Sequence, residues 1–154
     1  MPLPRLVALA VGLLLLAACR EVTAVGRLDF SATVSRAAFA PPESVTIRLR
    51  AVNRSARSVR LSGSGSGTFW VEVVGPTGDA VTSLRGYTDD LRFWEIATGD
   101  SVIVLWSWDG RALSGEALPP GTYSILGRLT AKEGSAISAP VPLTLGAAGP
   151  QAKR

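Results

Sequence analysis

Cys19 is the only cysteine of this chain, and no histidine accompanies it. A serine or cysteine nucleophile needs a base to take its proton, so without histidine both Ser-His-Asp and Cys-His chemistry are excluded. Zinc sites built on imidazole or paired thiolates go with them. Carboxylates remain: Asp89 and Asp90 are adjacent, and Glu95 and Asp100 follow. A glycosidase acid and base need a fixed separation across the scissile bond, which neighbours on one loop do not provide. Calcium needs six to eight oxygens, and this run has no glycine-punctuated acidic loop. The acids therefore read as a solvated loop flanking "LRFW", and no catalytic residue, metal ligand or cofactor is expected.

What remains for the thiol is set by its context. The segment "MPLPRLVALAVGLLLLAAC" carries one basic residue, Arg5, then the apolar run of residues 6–16, then small residues. That order is the layout of a secretory signal. The run is shorter than the roughly 20 residues of a membrane-spanning helix, and Arg20 and Glu21 end it. Leu16-Ala17-Ala18-Cys19 resembles the lipobox of bacterial lipoproteins, in which the thiol is acylated with diacylglycerol and the chain is cut just before it. The resemblance implies a signal peptide over residues 1–18, lipidation at Cys19, and the lipid bilayer as a partner. The location implied is the cell membrane or outer membrane, facing the periplasm or exterior. Arg20 stands where some bacteria read an aspartate as a retention signal for the inner membrane, so of two membranes the outer is favoured.

From Cys19 onward the chain suits one domain able to bury a core without disulfides. The leader holds only Arg5 of the charged residues, so its removal takes the formal charge from +4 to +3. That is too mild and scattered to argue for nucleic acid. Sixteen glycines and ten prolines in a chain that is 47% hydrophobic point to short elements with tight turns, hence an all-β domain.

Alternation of apolar and polar residues locates the strands. "RLDFSATV" places Leu28, Phe30, Ala32 and Val34 on one face, and after Pro41-Pro42, "SVTIRLRAVN" does so with Val45, Ile47, Leu49 and Ala51. A turn over residues 53–56 leads to "SVRLS", and "TFWVEVVGPTGDAV" gives two strands around Gly75-Pro76-Thr77-Gly78. Residues 83–91 lack periodicity and read as a long surface loop. "SVIVLWSWDG", "LPPGTYSILGRLTA" and "SAPVPLTLG" supply the remaining strands, with Trp106 and Trp108 sharing inward parity. Trp70 and Trp94 are read as core residues or as exposed anchors for a partner. Seven to eight short strands without an amphipathic helix predict an immunoglobulin-like antiparallel β-sandwich over residues 27–146. Residues 19–26 form a short tether before it and 147–154 a disordered tail.

Within "RLRAVNRSARSVR" five arginines stand without an acid. Alternation turns Arg48, Arg50 and Arg60 outward as a candidate anionic-surface patch, facing lipid headgroups, an anionic envelope polymer, or solvent as a charged edge that discourages sheet-to-sheet pairing.

Asn53-Arg54-Ser55, Gly75-Pro76-Thr77-Gly78, Trp106-Ser107-Trp108-Asp109 and Pro120-Gly121-Thr122-Tyr123 together resemble the pattern of the intracellular proteinase inhibitor (BsuPI) family, small β-sandwich domains. The similarity covers residues 27–145. It departs from the pattern at "GSGSGTFWVEV", where the family has an aspartate-containing strand. The resemblance implies a sandwich that binds rather than catalyses. An inhibitor of the substrate-mimicking kind must present an extended segment held at both ends, so that docking loses little entropy. "SLRGYTDD" is the candidate: Arg85 would suit a protease with an acidic pocket, and Leu84 or Tyr87 a subtilisin-like one. The expected function is a membrane-anchored, non-catalytic binding lipoprotein whose partner is an envelope protease. The alternative is a structural adaptor docking another envelope protein or an anionic polymer.

Overall fold

The computed structural model describes residues 23–86 and 90–147. Among the described residues a single 3-10 turn, Val25–Arg27, is followed by eleven strands. These are β1 (Leu28–Val34), β2 (Ala38–Phe39), β3 (Val45–Asn53), β4 (Val59–Ser64), β5 (Phe69–Val74), β6 (Ala80–Leu84), β7 (Leu91–Ile96), β8 (Ser101–Trp108), β9 (Gly121–Ala131), β10 (Gly134–Ile137) and β11 (Val141–Leu145). One sheet has the order β1-β3-β8; the second has β2-β11-β9-β5-β6, with β10 also on β9; β4 and β7 form a separate ribbon. All pairings are antiparallel except that of β2 with β11. The chain is an all-β sandwich.

The strand count exceeds the seven to eight predicted, because β2, β7 and β10 carry little periodicity. The loop predicted over residues 83–91 is shorter than expected: Ser83 and Leu84 belong to β6, paired with Glu72 and Val71, and Leu91 opens β7 opposite Ser64. The sandwich also starts inside the predicted tether, since Val25 is buried in the core.

The sheets meet over the residues that alternation turned inward. Val45, Ile47, Leu49 and Ala51 of β3 are fully buried, and Tyr123, Ile125 and Leu129 of β9 with Val71 and Val73 of β5 face them. Gly127 interrupts the β9 series for a reason of space: a Cβ there would lie 2.8 Å from Leu49 Cδ2 and 3.2 Å from Phe30 Cζ. Trp108 is the core tryptophan. Its ring meets Phe39 and Tyr123 edge-on, with centroids 5.6 and 5.9 Å away, and its Nε1 donates to the Arg111 carbonyl at 2.9 Å. Burial raises the Tyr123 phenol above its ordinary value. Its hydroxyl donates to the Pro119 carbonyl at 2.6 Å, a bond back to the chain that fixes a sandwich corner.

Asn53 shows why a polar residue ends β3. It is fully buried, and its Nδ2 donates to the carbonyls of Arg57 and Ile96, both at 2.8 Å. Its Oδ1 accepts from the Ser55 amide and hydroxyl at 3.0 and 2.7 Å. One side chain thus closes the turn and joins β3 to the end of β7, with its hydrogen-bonding capacity filled.

Candidate functional site

The predicted partner-binding loop is held firmly at its described ends. Leu84 is half-buried in β6 rather than presented on the loop. Arg85 is exposed, yet its guanidinium lies over the Trp70 ring, 5.3 Å from the centroid. Arg128 approaches the same ring at 5.8 Å and bonds Glu72 through Nε at 2.9 Å. Such stacking favours an ordered guanidinium. At the other end the Gly65 amide donates to the Asp90 carbonyl at 3.0 Å, and Asp90 accepts from Arg92 Nε at 2.9 Å. Between the ends, Gly86 is crowded by Ser66: a Cβ on Gly86 would fall 2.2 Å from the Ser66 Cβ. The "GSGSG" segment therefore clasps the base of the loop. Tyr87 lies outside the described residues, as do Asp89 and Cys19.

Beside this base runs a groove of about 370 Å³ lined by Trp70, Glu72, Val81, Ser83, Arg85 and Leu113. Leu113 is 72% exposed at its rim. Trp70, one of the two tryptophans considered as an anchor, is thus a half-buried platform between two cations. Trp94 packs against the core, with Phe69 edge-on at 5.7 Å, while its neighbour Phe93 is exposed beneath the Arg60 guanidinium at 4.8 Å.

A second concavity, about 280 Å³, opens along the edge of β8 that is unpaired among the described residues, between Val104, Leu105, Trp106, Phe69, Arg92 and the turn at Gly65 and Ser66. Trp106 shares the parity of Trp108 but is only half-buried, and its Nε1 is buried without an acceptor among the described residues. Sequence parity could place the ring; it could not reveal that the N–H lacks a partner.

The predicted arginine patch is divided. Arg48 and Arg50 stand together on the outer face of β3, whereas Arg60 is on the β4-β7 ribbon, opposite Glu95 in register and over Phe93. No three acidic side chains cluster as a metal site among the described residues.

No family model matches the chain, and no curated protein does. Among solved structures, similarity is found to the following proteins. Spo0M, the sporulation control protein from Bacillus subtilis, superposes with a TM-score of 0.51 over 79% of this chain and 50% of that one, at 10% identity. A β-glucosidase from Erythrobacter marinus gives 0.48 over 77% and 16%, at 12% identity. The alkylpurine DNA glycosylase AlkC of Pseudomonas fluorescens gives 0.47 over 77% and 30%, at 13% identity. The chain thus spans half or less of each of these proteins. At 10% identity the likeness to Spo0M speaks to fold alone.

Proposed function

We propose that the chain is a membrane-anchored, non-catalytic binding lipoprotein that presents its β6–β7 loop to a protein partner, as an envelope protease inhibitor does. The observation that supports this reading is the clasp on the loop: strand pairing at Leu84 and Leu91, the Arg85 stack on Trp70, and the Gly65–Asp90 backbone bond. A segment whose ends are fixed before docking loses less entropy on binding than a free one. The test is to incubate the chain from Cys19 onward with trypsin-like and subtilisin-like enzymes, follow enzyme activity, and sequence any cleaved bond. Near-stoichiometric inhibition that Arg85→Ala abolishes is the expected result. Rapid cleavage after Arg85 with enzyme activity intact would make the loop a substrate and refute the inhibitor reading.

The edge of β8 favours a second reading, that of an adaptor. An extended segment of another envelope protein laid along an unpaired strand gains main-chain hydrogen bonds, and one that opens the cleft could offer Trp106 the acceptor it lacks. Under this reading, partners recovered from cross-linked envelopes are lost on Leu105→Pro, whose amide faces away from β3, and retained on Arg85→Ala. The opposite pattern assigns them to the loop.

A further inference from the structure

The outer face of the β1-β3-β8 sheet combines two features that water does not favour together. Arg50 has Ser31 on one side and Ile103 on the other in register, and Arg48 has Thr33 and Leu105. Ile103 and Leu105 are 45% and 62% exposed. Both arginines are exposed and neither forms an ion pair among the described residues, although they sit two apart on one strand with their like charges on one face. The one acid on the outward side of these strands, Asp29, is committed to Arg54 at 3.0 Å. The remaining residues of outward parity, Ser31, Thr33, Thr46, Val52, Ser101 and Ser107, are small and uncharged.

We propose that this face lies on the anionic phospholipid surface of the membrane that holds the chain, with Arg48 and Arg50 on lipid phosphates and Ile103 and Leu105 at the acyl boundary; the proposal rests on the lipoprotein reading of Cys19. Guanidinium groups fit phosphate oxygens two at a time, and side chains such as Ile and Leu gain by entering the interface beside them. The leash supports this occupant over others. Four peptide steps separate Cys19 from Thr23, a reach of about 14 Å when fully extended. The buried Val25 follows two residues later, and the 3-10 turn passes directly into β1, the strand bordering this face. Thr23 itself packs beside Gly134 at the start of β10, so the leash keeps the domain within reach of the bilayer, and the charge of the β1-β3-β8 face decides which side meets it. The acyl chains then fix the distance, and the arginine face fixes the orientation.

The test uses the chain from Cys19 onward carrying Cys19→Ser, which keeps every core residue, since the core runs from Val25 to Leu145. It is sedimented with vesicles of phosphatidylcholine alone or of equimolar phosphatidylcholine and phosphatidylglycerol. Binding to the anionic vesicles alone is expected, weakening as salt is raised. Arg48→Gln and Arg50→Gln should each reduce the apparent affinity about fivefold. Leu105→Ser should reduce it as well. Arg36→Gln, which removes an arginine already paired with Glu43 beyond the end of β1, should leave it unchanged. Equal binding to both vesicles, binding to neither, or indifference to the Arg48 and Arg50 substitutions would overturn the proposal. Palmitate labelling of the full chain in cells reads the anchor separately, so a failed anchor and a failed face give different results.

Discussion

Replacing Trp106 by phenylalanine separates the cost of an unmet hydrogen bond from the gain of burial. A buried N–H without an acceptor costs about 1–3 kcal/mol, and the Trp106 Nε1 is such a group among the described residues. Phenylalanine removes it together with about two ring carbons. At roughly 0.8 kcal/mol for each methylene-sized group fully buried, and with the ring only half-buried, the lost burial is about 1 kcal/mol. Trp106→Phe should therefore be between neutral and about 2 kcal/mol more stable than the parent. Trp106→Ala, which forfeits the whole ring, should be less stable. Urea unfolding of the chain from Cys19 onward, followed by far-ultraviolet circular dichroism, gives both values at unchanged slope. A loss above about 1 kcal/mol in Trp106→Phe would mean that the N–H is bonded in the fold and that the cleft holds no unsatisfied donor.

Four further outcomes are expected. Trp108→Ala should cost about 3–5 kcal/mol in the same urea assay, because that ring is 1% exposed. Gly127→Ala should cost about 1–3 kcal/mol through overpacking, since its methyl meets Leu49 and Phe30. Burial pushes the Glu133 carboxyl up, but hydrogen bonds from the Ser62 hydroxyl and amide, with Lys132 nearby, outweigh this and hold it below its ordinary value. The folded chain then binds this proton less tightly than the unfolded one, so the contribution is present above the ordinary glutamate range and lost as pH falls through the lowered value. Stability measured against pH should show that acid loss reduced in Glu133→Gln. Finally, Cys19→Ser should abolish palmitate incorporation in cells, because acylation needs the thiol; labelling equal to the parent would refute the lipoprotein reading.

How much of this was legible beforehand follows from which signals are local. The β3 alternation places four residues inward, and all four are buried. Asn53 and Tyr123, picked out as parts of short motifs, turn out to hold a turn and a corner together, which explains why such motifs mark the scaffold. Strand β7 is not legible because "LRFWEI" exposes Leu91 and Phe93 and so breaks the expected pattern. The two-residue β2 and the small residues of β10 carry too little periodicity to register. The sites were less legible than the fold. Trp70 and Arg128 are opposed only because β5 pairs with β9, and Arg85 joins them from β6. Contacts made across a sheet between distant segments leave no spacing in the sequence to read.

The parallel pairing of β2 with β11 has a mechanical consequence. A pull between the two ends of the chain draws β2 backward by its N-terminal side and β11 forward by its C-terminal side. Because the strands point the same way, this slides one along the other. The load falls on their shared bonds at once, among them those from the Thr144 and Gly146 amides to the Ala37 and Phe39 carbonyls at 2.9 and 2.8 Å. In an antiparallel pair, the same pull applied at one end would peel the bonds apart in succession. Before the force reaches β2 from the N-terminal side it must strip β1 from β3, a ladder of seven registered pairs. A domain tugged through its N-terminal end thus meets a long ladder first and a short shear lock second, so the sandwich yields in two steps.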